Sequence, residues 1–190
     1  MQKKKERSKV GPSLFIAFIM IFSAFGVIFY GFASPNAKLE YNGYTFKQST
    51  EGYAVKVQGQ EYVFSNYPES LESINMSAGI FDLLSNKRMI FMTYNESQPA
   101  VGEIAASQFE LQRSFQRMGG YSQNALTHDN RYGLPVITCV NATQFIPVIE
   151  FREGDTGIVT EGDCIIASGT YQDFNAIKDR LLLGMLGVMP

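Results

Sequence analysis

The chain has 190 residues and a mass of 21.2 kDa, with 17 Gly, 7 Pro, 2 Cys, 1 His and no Trp. These numbers exclude collagen-like, low-complexity and disulfide-dense proteins. The net charge of −2 conceals two regions of opposite charge. Residues 1–12 contain five Lys or Arg and one Glu, whereas residues 38–190 contain 11 Lys or Arg and 17 Asp or Glu. We therefore predict a basic tail over 1–12, a transmembrane helix over 13–33, a short tether over 34–38 and one external domain over 39–190.

Residues 13–33 form an uncharged apolar run that is long enough to cross a bilayer as a helix, at roughly 30 Å. Five basic residues precede this run and only Lys38 follows it closely, so the positive-inside rule predicts a single-pass signal anchor in the cell membrane. The N-terminus would then be cytoplasmic and the domain outside. A cleaved signal peptide is the alternative, since Gly31-Phe32-Ala33 has a cleavage pattern. The length of the run and Pro35 favour the anchor.

Within this run, six phenylalanines recur at a spacing of three and four residues, which is the seam of a heptad pattern on one helix face. The pattern predicts a helix–helix interface in the membrane, either with a second copy of the chain or with a partner membrane protein. The alternative is that the rings face lipid and fall into register by chance. The residues concerned are Phe15, Phe18, Phe22, Phe25, Phe29 and Phe32.

The external domain alternates strand-like and helix-like patterns, which predicts an α+β fold with an antiparallel or mixed β-sheet. A central amphipathic helix and a C-terminal helix would pack on that sheet. In chain order we predict a β-meander over 39–65, short helical turns over 68–86, a strand over 88–94, a helix over 101–118, a polar loop over 120–133, strands over 134–140, 146–151 and 157–168, and a helix over 171–188. Strands 88–94 and 134–140 with the helix between them would form a βαβ unit.

The C-terminal run 181–189 is apolar on all sides. A helix of this kind is normally buried, and nine residues cannot span a membrane. We therefore assign the run to the core. The alternative is a docking site for a membrane partner, with Met185 and Met189 as adaptable contacts.

Cys139 and Cys164 are the only cysteines, and the predicted topology places both outside, where disulfides persist. A bridge between them would close a loop of about 26 residues. The alternative is two inert, buried thiols. A catalytic redox pair is disfavoured, because the spacing is not C-x-x-C and no His or Lys adjoins either cysteine.

The sequence offers little material for catalysis or for metal binding. One His and two Cys cannot make a zinc tetrad, and the acidic stretch around Glu150 and Asp163 lacks EF-hand spacing. His128 stands in a polar segment without a nucleophile elbow, and the Asp155-Thr156-Gly157 sequence lacks the second Asp of an aspartic protease. We assign no catalytic residue, metal or cofactor, and an acidic domain also argues against nucleic acid as a partner.

Three N-x-S/T sequons are candidate glycosylation sites if the domain is external. They begin at Asn75, Asn95 and Asn141.

Two segments carry a resemblance to a protein family. These are Leu39–Phe46 (LEYNGYTF) close to a membrane span, and the ending in which Cys164-Ile-Ile is followed by Lys178–Met189 (KDRLLLGMLGVM). Together they resemble small, uncharacterised single-span membrane proteins of archaeal genomes that have an external α+β domain of this size. The resemblance covers most of residues 13–190 and implies no activity.

These observations favour a membrane-anchored extracytoplasmic domain that works by binding or assembly rather than as an enzyme. Two alternatives stay open. One is an extracytoplasmic enzyme with a site around His128 and the acidic strand pair. The other is a dithiol redox protein, which would need Cys139 or Cys164 to be exposed.

Overall fold

The structure is a computed structural model that describes residues 15–16, 18–20, 38–85 and 87–190, and the chain divides into two units, 1–37 and 38–190. Residues 15–16 and 18–20 are helical. Phe22, Phe25, Phe29, Phe32 and most of the predicted anchor lie outside the described residues. Within the described part, no helix is both long and apolar enough to cross a bilayer.

The smaller of two sheets in unit 38–190 is the predicted meander. Its four antiparallel strands pair in chain order, with tight turns at Asn42-Gly43 and Gln58-Gly59. Both residues of each turn have positive φ, which is why Asn-Gly and Gln-Gly suit these positions. The strands are β1 (Lys38–Tyr41), β2 (Tyr44–Ser49), β3 (Gly52–Val57) and β4 (Gln60–Phe64).

The larger sheet is mixed and has the strand order β5-β9-β10-β8-β6-β7. Strands β10, β8, β6 and β7 run parallel, whereas β9 is antiparallel to β10 and parallel to β5. The α+β prediction is thus confirmed, with two sheets. The strands are β5 (Asn75–Met76), β6 (Met89–Tyr94), β7 (Tyr121–Leu126), β8 (Val148–Glu153), β9 (Gly157–Glu161) and β10 (Cys164–Gly169).

The predictions for 120–133 and 134–140 were wrong. Tyr121–Leu126 is not a loop but the edge strand β7, which completes the β6–helix–β7 unit. Residues 134–140 do not form a strand, because β7 already occupies the open side of β6. Their β-type pairing with the sheet is limited to one isolated bridge between Leu126 and Val136, and Cys139–Asn141 is a short 3-10 helix.

Two long helices, α3 and α4, share one core with both sheets. On the larger sheet, Ile90, Ile149 and Ile165 lie on the face that packs into the core. The residues that alternate with them along each strand lie on the opposite face, which we call the second face. Within the described residues of unit 38–190, the α-helices are α1 (Pro68–Leu71), α2 (Ile80–Leu84), α3 (Val101–Arg117) and α4 (Phe174–Met185).

The sequence explains how the chain enters α4 and why the run 181–189 is apolar. Just before α4, Asp173 Oδ2 accepts hydrogen bonds from Thr170 N at 2.8 Å and Thr170 Oγ1 at 2.7 Å, which hold the turn that leads into the helix. These bonds, the backbone one included, lower the pKa of the Asp173 carboxyl. Leu181–Gly184 are buried, and so are Val188 and Met189, so the run belongs to the core.

Candidate functional site

The second face of the larger sheet is crossed by residues 134–147, which we call the strap. Thr93 Oγ1 on β6 donates a hydrogen bond to Ile137 O at 2.8 Å, and Lys87 Nζ donates to Gln144 O at 2.5 Å. On its outer side, the strap exposes 92% of Val140 and 73% of Phe145. The strap therefore presents apolar side chains to solvent while it covers the sheet.

Cys139 of the strap is bonded to Cys164 of β10, which confirms the predicted disulfide. The two Cα atoms lie 5.2 Å apart, within the usual range for such a bridge. Cys164 is fully buried and Cys139 is half-buried. The strap is thus covalently attached to the centre of the sheet.

An ion pair lies beside the disulfide. Glu150 Oε1 accepts a hydrogen bond from Arg152 Nε at 2.6 Å, and its other carboxylate oxygen is 3.3 Å from Cys139 Sγ. The bond to Glu150 raises the pKa of Arg152, which favours the charged form of the guanidinium. Glu150 is almost fully buried, and Arg152 supplies the positive charge that such a carboxylate needs.

A cavity of about 560 Å³ opens next to this pair, and His128, Glu150 and Glu153 all line it. The structure therefore brings together the residues that the enzyme alternative required. His128 is exposed and its Nδ1 lies 2.7 Å from Thr127 Oγ1. Glu153 Oε1 accepts the backbone N–H of Ala100 at 2.8 Å, at the start of α3. Both carboxylates are thus committed to structural partners.

The side chains of Cys139, Glu150 and Cys164 form one cluster with the spacing of metal ligands, all within 4.8 Å in the described part of the chain. A sulfur atom in a disulfide lacks the negative charge of a thiolate, which is the form that binds metal. The cluster in its bonded state therefore offers a metal only the Glu150 carboxylate, which is already paired with Arg152.

Sequence reasoning missed a second group of buried charges, on α4. Lys178, Asp179 and Arg180 are all buried, although charged residues like these usually lie on a solvated helix face. Asp179 Oδ1 lies 2.9 Å from Lys178 Nζ, and Asp179 Oδ2 accepts hydrogen bonds from Asn66 N and Asn66 Nδ2 at 2.9 Å each. Lys178 also pairs with Glu110 of α3. These bonds connect α4 both to α3 and to the end of the meander.

Burial disfavours the charged forms of both Asp179 and Lys178. By itself it therefore raises the pKa of the acid and lowers the pKa of the base. It raises the pKa of Asp179, against the opposing effect of Lys178 and Asn66. Burial alone would lower the pKa of Lys178, but the charges and hydrogen bonds of Asp179 and Glu110 outweigh it and raise that pKa. Lys178 is therefore held in its charged form inside the protein.

The three sequons differ in exposure. Asn75 on the edge strand β5 and Asn141 on the strap are exposed, whereas Asn95, just after β6, is half-buried. Asn141 Oδ1 accepts the backbone N–H of Thr138 at 2.9 Å. Each asparagine stays a candidate acceptor.

No family model matches the chain, and neither the curated proteins nor the solved structures contain a significant match.

Proposed function

We propose that this chain is a membrane-anchored extracytoplasmic domain that binds a partner rather than catalysing a reaction. The disulfide between Cys139 and Cys164 is the main support, because such bonds persist in oxidising compartments outside the cytoplasm. The five Lys and Arg residues before the apolar run, against Lys38 alone close after it, support the same orientation.

The chemistry around the cavity supports binding over catalysis. A general acid or base must have a free proton-transferring atom within reach of a substrate. Glu150 is paired with Arg152, and Glu153 accepts a backbone N–H of α3. The paired cysteines cannot act as thiolate nucleophiles. What the domain offers instead is a rigid surface, in which the disulfide holds the strap and its exposed Val140 and Phe145 in place.

The proposed orientation predicts which lysines an impermeant reagent reaches. Lys47 and Lys56 are exposed on the meander, whereas the tail lysines 3–5 and 9 would be cytoplasmic. Intact cells that express the full chain are treated with a sulfonated biotin ester, and labelled lysines are mapped by mass spectrometry. We expect Lys47 and Lys56 to be labelled in intact cells and the tail lysines only after lysis.

Lysed cells and a cytoplasmic marker protein serve as the positive and negative controls for this labelling. Labelling of the tail, but not of Lys47, in intact cells would contradict the proposed orientation. A mature chain that begins after residue 33 would show that the segment is a cleaved signal rather than an anchor.

The phenylalanine seam predicts self-association of the anchor. Replacing Phe22 and Phe25 by Ala removes two rings from the predicted helix–helix face, so a two-hybrid signal between two anchored copies in a membrane should fall severalfold. Ile19→Ala with Val27→Ala is a matched control off that seam. Equal signals from the two double variants would refute the seam as an interface between copies.

A further inference from the structure

A larger cavity, of about 820 Å³, lies on another side of the domain from the disulfide. It lies between the turn that joins β3 to β4 of the meander, helix α2, and the C-terminal ends of α3 and α4. Its volume lies in the range of about 300–1,000 Å³ that is typical of small-molecule sites. The cavity is thus large enough for a drug-sized ligand.

Five apolar side chains form the floor of this cavity, although its accessible lining as a whole is mostly polar. Phe81 and Leu84 come from α2, Phe115 and Met118 from the end of α3, and Met185 from the end of α4. The floor is also closely packed. A Cβ added at Gly184 would lie 1.8 Å from the Phe81 ring, so only glycine lets this ring pack against α4. An apolar ligand group would meet preformed walls here.

The rim carries three cations and no carboxylate. Lys87, Arg88 and Arg117 line the cavity, but no Asp or Glu does, although residues 38–190 hold more acidic than basic side chains. Among the described residues, none of the three cations has a carboxylate within ion-pair distance. The rim is therefore a positively charged region on a domain whose net charge is negative.

The partners of these cations are neutral. Lys87 Nζ donates to a backbone carbonyl of the strap, and Arg117 donates to Glu61 O while its guanidinium lies 4.5 Å from the centre of the Tyr62 ring. The Arg88 side chain makes no hydrogen bond with the described residues. Each cation retains N–H groups that can bind an anion.

A position at the end of a helix explains the presence of one of these cations but not of the other two. Arg117 is in the last turn of α3, where backbone carbonyls favour a positive charge. Lys87 and Arg88 belong to the connection between α2 and β6, so neither lies at the end of a long helix. A helix end therefore does not explain their charges, although Lys87 Nζ also binds the strap.

We propose that this cavity binds an amphipathic anion, with its apolar body on the Phe81–Phe115–Met185 floor and its single anionic head between Lys87 and Arg88. Small-molecule sites combine apolar surface with a few polar groups that fix the orientation of the ligand, and here the floor supplies the first and the rim cations supply the second. The inference rests on the described cavity and does not depend on the orientation of the chain in a membrane.

The test uses the full chain in phosphatidylcholine nanodiscs and three water-soluble probes: 2-naphthalenesulfonate, the uncharged 2-naphthol and inorganic phosphate. Binding is measured by equilibrium dialysis, with empty nanodiscs subtracted. We expect saturable binding of the sulfonate, and clearly weaker binding of the naphthol and the phosphate, because each of these has only one half of the required chemistry. Added salt should weaken sulfonate binding.

Lys87→Gln with Arg88→Gln should weaken sulfonate binding roughly tenfold, since the head loses charge-assisted hydrogen bonds. Lys56→Gln with Arg131→Gln removes two exposed cations outside the cavity and should change the Kd less than about twofold. Met185→Gln tests the floor and should also weaken binding.

Four results would overturn the proposal: no saturable binding above empty nanodiscs, naphthol bound as tightly as the sulfonate, equal effects of the two double variants, or phosphate bound as tightly as the sulfonate. Phosphate bound as tightly as the sulfonate would overturn the amphipathic assignment, since it would indicate a site for small anions only. Circular dichroism of each variant verifies that the domain is still folded.

Discussion

Asp179→Ala is expected to lower the free energy of unfolding by about 3–5 kcal/mol, the largest effect of any single substitution argued for this chain. The substitution leaves the buried ammonium of Lys178 with only the half-exposed Glu110 as its partner. It also removes the acceptor of two N–H groups of Asn66, which tie the end of β4 to α4. Urea unfolding of the full chain in nanodiscs, monitored by tyrosine fluorescence, measures the loss.

Glu110→Gln is the matched control, because it removes the outer carboxylate of the same pair. Its side chain is 57% exposed, so we expect a loss of less than about 1 kcal/mol. The Lys178 contribution has a defined pH dependence. Because its pKa is raised in the folded state, the contribution is complete below the usual lysine pKa and is lost as the pH rises through the raised value. Similar losses from Asp179→Ala and Glu110→Gln would contradict this account.

Reduction of the Cys139–Cys164 disulfide is expected to cost about 3.5 kcal/mol, because the unfolded chain regains the freedom of a closed loop of about 26 residues. The bonded cysteines are 25 positions apart, and no other cysteine is present to compete. The effect should appear as a lower urea midpoint in the reduced protein. Hydrogen exchange should then increase first in the strap, whose attachment to β10 is lost.

Cys139→Ala with Cys164→Ala separates the crosslink from the packing of sulfur atoms. Reduced native protein keeps both sulfurs, so the difference between it and the double variant measures only side-chain volume, mainly at the fully buried Cys164. We expect reduction alone to cause most of the loss. If the reduced protein were as stable as the oxidised one, the bridge would contribute nothing to the fold, and the strap would be held by its hydrogen bonds.

Local patterns predicted most of the fold. The Asn-Gly and Gln-Gly turns with alternating residues predicted the meander, and the helical spacing of Ile104, Leu111 and Phe115 predicted α3 nearly to the residue. These elements bury one face against the core, so their sequence periodicity reflects their structure.

Where the sequence periodicity predicted the wrong element, contacts with the rest of the fold determined the structure. Tyr121–Leu126 is polar enough to look like a loop, yet it pairs as an edge strand with β6, where one side needs no strand partner. Residues 134–140 cross the sheet as part of the strap without joining it as a strand, and none of them is fully buried. An apolar run bounded by turns does not by itself distinguish a strand from such a cover.

The candidate sites depend on contacts between residues distant in sequence. The pairing of the two cysteines followed from their number, but the proximity of Glu150 and Arg152 to the bridge did not. Lys87 and Arg88 belong to the same cavity as Met185 only because α2 and α4 end side by side. The buried charges of Lys178 and Asp179 were hidden because a Lys-Asp-Arg sequence is usually a solvated helix face.

The strand order of the larger sheet has a consequence for the order of synthesis. Strands β8 and β10 lie in the middle of the sheet, yet they come from residues 148–169, near the end of the chain. A growing chain that has reached β7 has no neighbour for the inner side of β6, and Cys139 has no partner until β10 emerges. For a domain exported as we propose, most of the chain reaches the far side before the sheet can close, so folding and oxidation belong to the compartment of arrival.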